Sequence, residues 1–192
     1  MNPDFLMKDQ IPAGKLIDYI LASAACFPAL KSIEIDNVKY VDGAYSDNLP
    51  VGMALDQGAT HIIAVDLEAI GKYNRKRMLD AEHLKLIRSP WDLGNILVFD
   101  KTRTKRIMRL GYLDTLKSYG IYEGNFFCFV KGEWNRRGTK GADQAARIFE
   151  LDPEIIYLKN FFNQRLKSSI DKYVAETEAE LSIESGRFKE KL

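Results

Sequence analysis

The chain has 192 residues, enough for one domain with a sizeable core. Its 46% hydrophobic and 29% charged residues are the ordinary composition of a soluble globular protein. Lys and Arg number 28 against 27 Asp and Glu, a formal net charge of +1, so no global field argues for a nucleic-acid partner. No apolar run approaches the roughly 20 residues that span a bilayer, and residues 1–10 lack the apolar segment of a signal peptide. Cys26 and Cys128 sit in apolar runs and read as buried free thiols of a reducing compartment. His61 and His83 share no ligand spacing with either, so neither a metal nor a cofactor is expected.

In chain order, apolar residues at Leu16, Ile17, Ile20, Leu21, Ala24 and Ala25 give helical spacing, bounded by Pro28. Residues 32–36 and 38–42 are short alternating runs around Asn37, which predicts a hairpin. Pro50 opens a helix over Val51, Met53, Ala54 and Leu55, and Gly58 stops it. The β-branched run 61–67 predicts a strand buried on both faces. Residues 71–77 read as a polar, basic surface loop, 84–88 as a second strand, and 95–99 as either a short helix or a strand.

Further on, 101–119 predicts a helix with Ile107, Leu110, Leu113 and Leu116 inward, and 126–130 is a short aromatic segment. Pro153 opens the longest element, an amphipathic helix over 153–182 carrying Ile155, Leu158, Phe162, Leu166, Ile170 and Tyr173. A break is expected near Ser168-Ser169 and fraying beyond Leu181. Without repeats or a linker, 1–192 reads as a single unit. Helix, turn and buried strand in succession predict an α/β fold, a mostly parallel sheet covered by helices with a helical C-terminal region.

The chemistry-bearing stretch is Tyr40-Val41-Asp42-Gly43-Ala44-Tyr45-Ser46-Asp47-Asn48-Leu49-Pro50. A short strand runs into an acidic turn and then a helix start, which is how a fold presents an acid/base carboxylate. No serine in the chain is framed as Gly-x-Ser-x-Gly, and no glycine-rich loop precedes Asp42. Asp-Gly taken alone is a common turn.

Its flanks change that reading. Ile17-Asp18-Tyr19-Ile20-Leu21-Ala22-Ser23-Ala24-Ala25-Cys26-Phe27-Pro28 stands before it and Gly58-Ala59-Thr60-His61-Ile62-Ile63-Ala64-Val65-Asp66 after it. Together the three stretches resemble the C-terminal part of the patatin-like phospholipase family, over about residues 11–120. The resemblance implies an α/β sheet with a serine–aspartate dyad that hydrolyses acyl esters of lipids. The aspartate motif carries over onto Asp42, with Gly43 and Ala44 completing it. The serine elbow and the oxyanion loop, which the family places upstream, have no counterpart, so the chain reads as truncated or split and inactive alone.

A serine hydroxyl becomes a competent nucleophile when a positioned base takes its proton during attack. In a dyad the carboxylate faces the hydroxyl directly, and partial desolvation would have to raise its basicity. Gly43 would let the backbone turn sharply beneath that carboxylate. Asn48 would cap the helix near Pro50 or, alternatively, brace the Asp42 loop. Ser23, among Leu21, Ala22, Ala24 and Ala25, reads as a small packing residue. His61 reads as an edge residue, and Asp66 lacks the glycine fingerprint of a ribose-binding acid. Lys101, Arg103, Lys105, Arg106 and Arg109 read as a solvated helix face, or as a contact for anionic lipid headgroups. The expected partners are a lipid or acyl-ester substrate, a peripheral membrane contact, and the missing N-terminal half or a second copy; a cytoplasmic setting goes with them. The alternative is a non-catalytic lipid-binding or oligomerising module.

Overall fold

The computed structural model describes residues 2–95, 97–98 and 100–189, with 182–189 given by their backbone. Mixed α/β elements gather into two compact units, Met1–Ile87 and Arg88–Leu192. The sequence expectation of one unit rested on the lack of a linker. The boundary falls at the end of a strand, where no Gly- or Ser-rich tract marks it.

In the first unit, helix α1 (Leu16–Ser23) packs on a hairpin of β1 (Ile33–Ile35) and β2 (Val38–Tyr40). The strands pair antiparallel with Ile35 opposite Val38, so Asp36 and Asn37 form the two-residue turn. Both have positive φ, 51° and 63°, the left-handed pair that a tight hairpin turn needs and that Asp and Asn tolerate. Lys15 pairs with Asp36 at the tip. A single helical turn, α2 (Ala44–Asp47), follows β2 and leads to α3 (Val51–Asp56). The chain leaves α3 through Gly58 at φ 81°, where a Cβ would be disfavoured.

Strand β3 (His61–Asp66) then pairs in parallel with β4 (His83–Arg88) through the short helix α4 (Arg75–Leu79). The basic loop expected at 71–77 is therefore partly helical, because Asn74 accepts the Arg77 N–H as a cap, at 3.3 Å. Arg77 also pairs with Asp56 and Asp80 and donates to the Gly52 carbonyl, fastening α4 to α3. β3 is not buried on both faces as its composition suggested. Ala64 and Asp66 are buried, whereas Ile63 is 62% and Val65 57% exposed. One face of the strand is covered and the other is bare.

The second unit is built on an aromatic core. α5 (Lys101–Ser118) turns Leu110 and Leu113 inward as its spacing predicted, and Asp100 caps it by accepting the Arg103 N–H at 2.6 Å. A three-stranded sheet runs β5 (Tyr122–Glu123), β6 (Cys128–Val130), β7 (Ile156–Tyr157), with β6 antiparallel to β5 and parallel to β7. α6 (Arg136–Ile148) joins β6 to β7, a helix that sequence reading passed over. α7 runs Lys159–Lys189 without a break at Ser168-Ser169. The start predicted at Pro153 is corrected, since Ile156 and Tyr157 belong to a strand. The helix-or-strand alternative at 95–99 includes Ile96 and Phe99, which lie outside the described residues.

Phe127, Phe129, Ala142, Ala146, Leu151, Tyr157 and Phe162 form one buried cluster, with Phe129 and Phe162 edge to face at 5.5 Å. The buried Asp143 of α6 accepts from the backbone N–H groups of Asn125, Phe126 and Phe127 at 3.1, 3.3 and 2.9 Å. One carboxylate thereby satisfies the loop that enters β6.

Burial pushes the Cys128 thiol up from 9.0 to about 11, with Lys117 and Arg109 pulling the other way. Burial likewise pushes Tyr157 up from 10.0 to about 12. The folded chain holds both protons more tightly than the unfolded one. Their contribution is therefore complete below pH 9 and is lost as pH rises through the folded values. Urea unfolding followed by tryptophan fluorescence reads this unit, because Trp91 and Trp134 both lie in it. The midpoint should fall steadily between pH 9 and 11, and replacing Cys128 by Ala should flatten that decline.

Candidate functional site

Asp42 lies two residues past the end of β2 and is stitched to the end of α1. Its N–H donates to the Ala25 carbonyl at 3.0 Å, and the Gly43 N–H donates to the Ser23 carbonyl at 3.4 Å. One carboxylate oxygen, Oδ1, accepts the Ala44 N–H at 2.8 Å, which fixes the side chain in an Asx turn. The carboxylate is half-buried, and the second oxygen has neither a hydrogen bond nor an ion pair among the described residues. Asp42 is thus aimed by one oxygen and leaves the other available.

Gly43 does not do what the sequence suggested. Its backbone is ordinary right-handed helical, φ −63° and ψ −23°, and a Cβ there would meet only Ser23 Oγ, at 3.8 Å. Neither conformation nor space demands a glycine. Ala44 opens α2, and its carbonyl accepts the Lys72 N–H at 2.8 Å. Tyr45 donates its hydroxyl to the Phe27 carbonyl and lies 3.7 Å from Cys26 Sγ. Its pKa is raised by the Cys26 hydrogen bond first, then by burial and by the neighbouring charges, Asp42 among them.

The helix at Pro50 has no side-chain cap, so the capping role expected of Asn48 is replaced by another. Asn48 Nδ2 donates to the Ala69 carbonyl at 3.2 Å and to the Tyr73 hydroxyl at 3.1 Å, while its backbone N–H donates to the Lys72 carbonyl at 2.6 Å. The Tyr73 hydroxyl in turn donates to the buried Asp66 Oδ1 at 2.9 Å, which also accepts the Glu68 N–H at 2.8 Å. A polar chain Asn48–Tyr73–Asp66 therefore latches the segment after Asp42 onto the loop after β3. Gly71 makes the latch possible: a Cβ there would stand 2.7 Å from Asn48 Cβ and 2.8 Å from the Ala44 carbonyl oxygen. Gly71 and Tyr73 were invisible to sequence reading, because their meeting with Asn48 joins loops more than twenty residues apart.

Ser23 is the exposed last residue of α1 and makes no hydrogen bond to Asp42. His61 opens β3 at the surface, stacked on His83 with ring centroids 4.3 Å apart. Of the basic cluster on α5, Arg103 donates to the Leu93 carbonyl and Arg109 to the Glu154 carbonyl, both at 3.0 Å, whereas Lys101, Lys105 and Arg106 are exposed. Among the described residues no three His, Cys, Asp or Glu side chains gather closely enough to hold a metal ion. No described helix is long and apolar enough to cross a membrane.

Residues 2–55 match the family model Patatin-like phospholipase. The match takes in α1, the hairpin, Asp42 and all of α3 but its last residue, and supports for this segment an origin related to lipid acyl hydrolases. No curated protein and no solved structure matches the chain. The resemblance read over about residues 11–120 is borne out as far as residue 55.

If the latch holds the Asp42 segment, its two members that bring no charge should weaken it predictably. Gly71→Ala should cost about 1–3 kcal/mol, the range of a small-to-large change that backbone cannot yield to. Tyr73→Phe should cost about 1 kcal/mol for the lost hydrogen bond. Amide hydrogen exchange at Asn48 and Lys72 is the direct readout, and both variants should lose protection there.

Proposed function

We propose that the first unit supplies the aspartate of a serine–aspartate lipid acyl hydrolase, the serine and the oxyanion donors coming from a further stretch of polypeptide. The observation that carries the reading is the state of Asp42: half-buried, held through Oδ1, with its other oxygen unpaired among the described residues. In such a site that oxygen takes the proton of the serine hydroxyl as it attacks the ester carbonyl, and returns it to the departing alcohol. The Ala44 N–H donates to the other oxygen and keeps the carboxylate from rotating away. The substrate is a fatty-acyl ester or a phospholipid, met at a membrane surface on its cytoplasmic side.

Exposed apolar residues in the same unit support a missing neighbour. Ile17, Ile20 and Leu21 of α1 and Ile63 and Val65 of β3 are all more than half exposed. Fully burying each such side chain is worth roughly 1.5–3 kcal/mol, so the unit gains by docking on an N-terminal half or on a second copy. A second reading, a non-catalytic lipid-binding or oligomerising module, is favoured by one fact: the serine beside Asp42, Ser23, is not hydrogen-bonded to it.

The chain should be assayed alone and with the polypeptide encoded immediately upstream of Met1, using a short-chain aryl ester. The chain alone should be inert, and the mixture should show turnover that a serine-directed inhibitor stops. Asp42→Asn should lower that turnover by at least about a hundredfold, in line with loss of a general base. Inhibitor-sensitive hydrolysis by the isolated chain would overturn the proposal. An active mixture indifferent to Asp42→Asn would favour the binding module.

A further inference from the structure

The second unit, outside the patatin-like match, contains a cavity of about 770 Å³ between α6, the end of α5 and the loop from β5 into β6. Its size is that of a small-molecule site. Four cationic side chains line it, Lys117, Arg136, Lys140 and Arg147, against two carboxylates, Glu123 and Asp143. The last three cations lie four and seven residues apart along α6, which turns them to one side of the helix.

The cations outnumber the carboxylates four to two, and neither carboxylate forms an ion pair with them among the described residues. Asp143 is committed to three backbone N–H groups, and Glu123 accepts from the Thr139 hydroxyl at 3.3 Å. Lys117 is the committed cation, paired with Asp114 at 2.8 Å and bonded to the Asn125 carbonyl. Arg136, Lys140 and Arg147 have no ion-pair partner among the described residues. Arg147 is nonetheless held in place: its guanidinium lies 4.0 Å over the Phe126 ring, which is itself braced edge to face by Trp91 at 5.2 Å. This differs from the basic cluster of α5, whose two half-buried arginines are consumed by backbone carbonyls.

We propose that this cavity binds an organic phosphate ester. Guanidinium and ammonium groups are the donors that phosphate oxygens take, and these three are spread over α6 from Arg136 to Arg147, about 16 Å of helix. The volume exceeds what a bare phosphate fills, so an organic body attached to it rests against Phe126. The site is independent of Asp42, and it stands whether or not the hydrolase reading does. Such an ester reaches it as a soluble metabolite-sized molecule or as the headgroup of an anionic phospholipid.

Calorimetric titration of the whole chain with inorganic phosphate and with glycerol 3-phosphate, and co-sedimentation with phosphatidylcholine vesicles with or without phosphatidic acid, distinguish the sources. Glycerol 3-phosphate binding more tightly than phosphate assigns the site to a soluble ester. Binding only to vesicles that contain phosphatidic acid assigns it to a headgroup. In either case Arg147→Gln, and Arg136→Gln with Lys140→Gln, should weaken binding about tenfold or more. The control pair Lys105→Gln with Arg106→Gln on α5 should leave it within about twofold. These side chains are exposed, so an unchanged thermal melt is expected of every variant. The proposal is overturned if neither esters nor vesicles bind, or if the control pair weakens binding as much as the α6 variants.

Discussion

Asn48 reaches across to a loop that the chain makes more than twenty residues later, and the arrangement of the first unit follows from that reach. Its amide satisfies a carbonyl and a phenol at once, and the phenol passes the connection on to the buried carboxylate of Asp66. A buried carboxylate needs donors, and Asp66 Oδ1 accepts from the Glu68 N–H and the Tyr73 hydroxyl. The cost of burying Asp66 is thereby tied to the placement of the turn that follows Asp42. Gly71 sets how near the two loops come, since any side chain there would collide with backbone.

The second unit solves a similar problem with a different carboxylate. Asp143 draws three successive N–H groups around itself, and this fixes how Phe127 and Phe129 enter the aromatic cluster. Asp143 also lines the cationic cavity, where its charge offsets part of the surplus that Arg136, Lys140 and Arg147 bring. Asp114 makes the contrast: it is buried beside Lys117, yet its Oδ2 has no hydrogen-bond partner among the described residues.

Local chemistry was legible in the sequence wherever a few adjacent residues determine it. Asn37 at the hairpin tip, Gly58 after α3 and the inward stripe of α5 are of this kind. What escaped reading depends on distant partners. α6 was passed over because its buried face is made of Thr139, Ala142, Asp143 and Ala146, small or polar residues that carry no hydrophobic stripe. Its cap at Asn135 and the alanine spacing were the available signals. Ile156 and Tyr157 fell inside the helical pattern carried by Ile155 and Leu158, because a strand of two residues cannot display a period of its own. Asp42 could be singled out from its flanks, whereas the latch that seats its loop, formed by Gly71 and Tyr73, could not.

β3 shows that composition reports what a strand can bury, and not what it does bury. Ile63 and Val65 have the residue types of an interior strand yet face outward, while Ala64 and Asp66 face in. The two sides of this one strand therefore answer oppositely to the same kind of change. A hydroxyl or a charge introduced at Ile63 or Val65 solubilises the chain at little cost to its folding, whereas one introduced at Ala64 must be accommodated inside. Variants made for handling the protein in solution can be confined to the outward positions without disturbing the loop contacts that hold Asp42 in place.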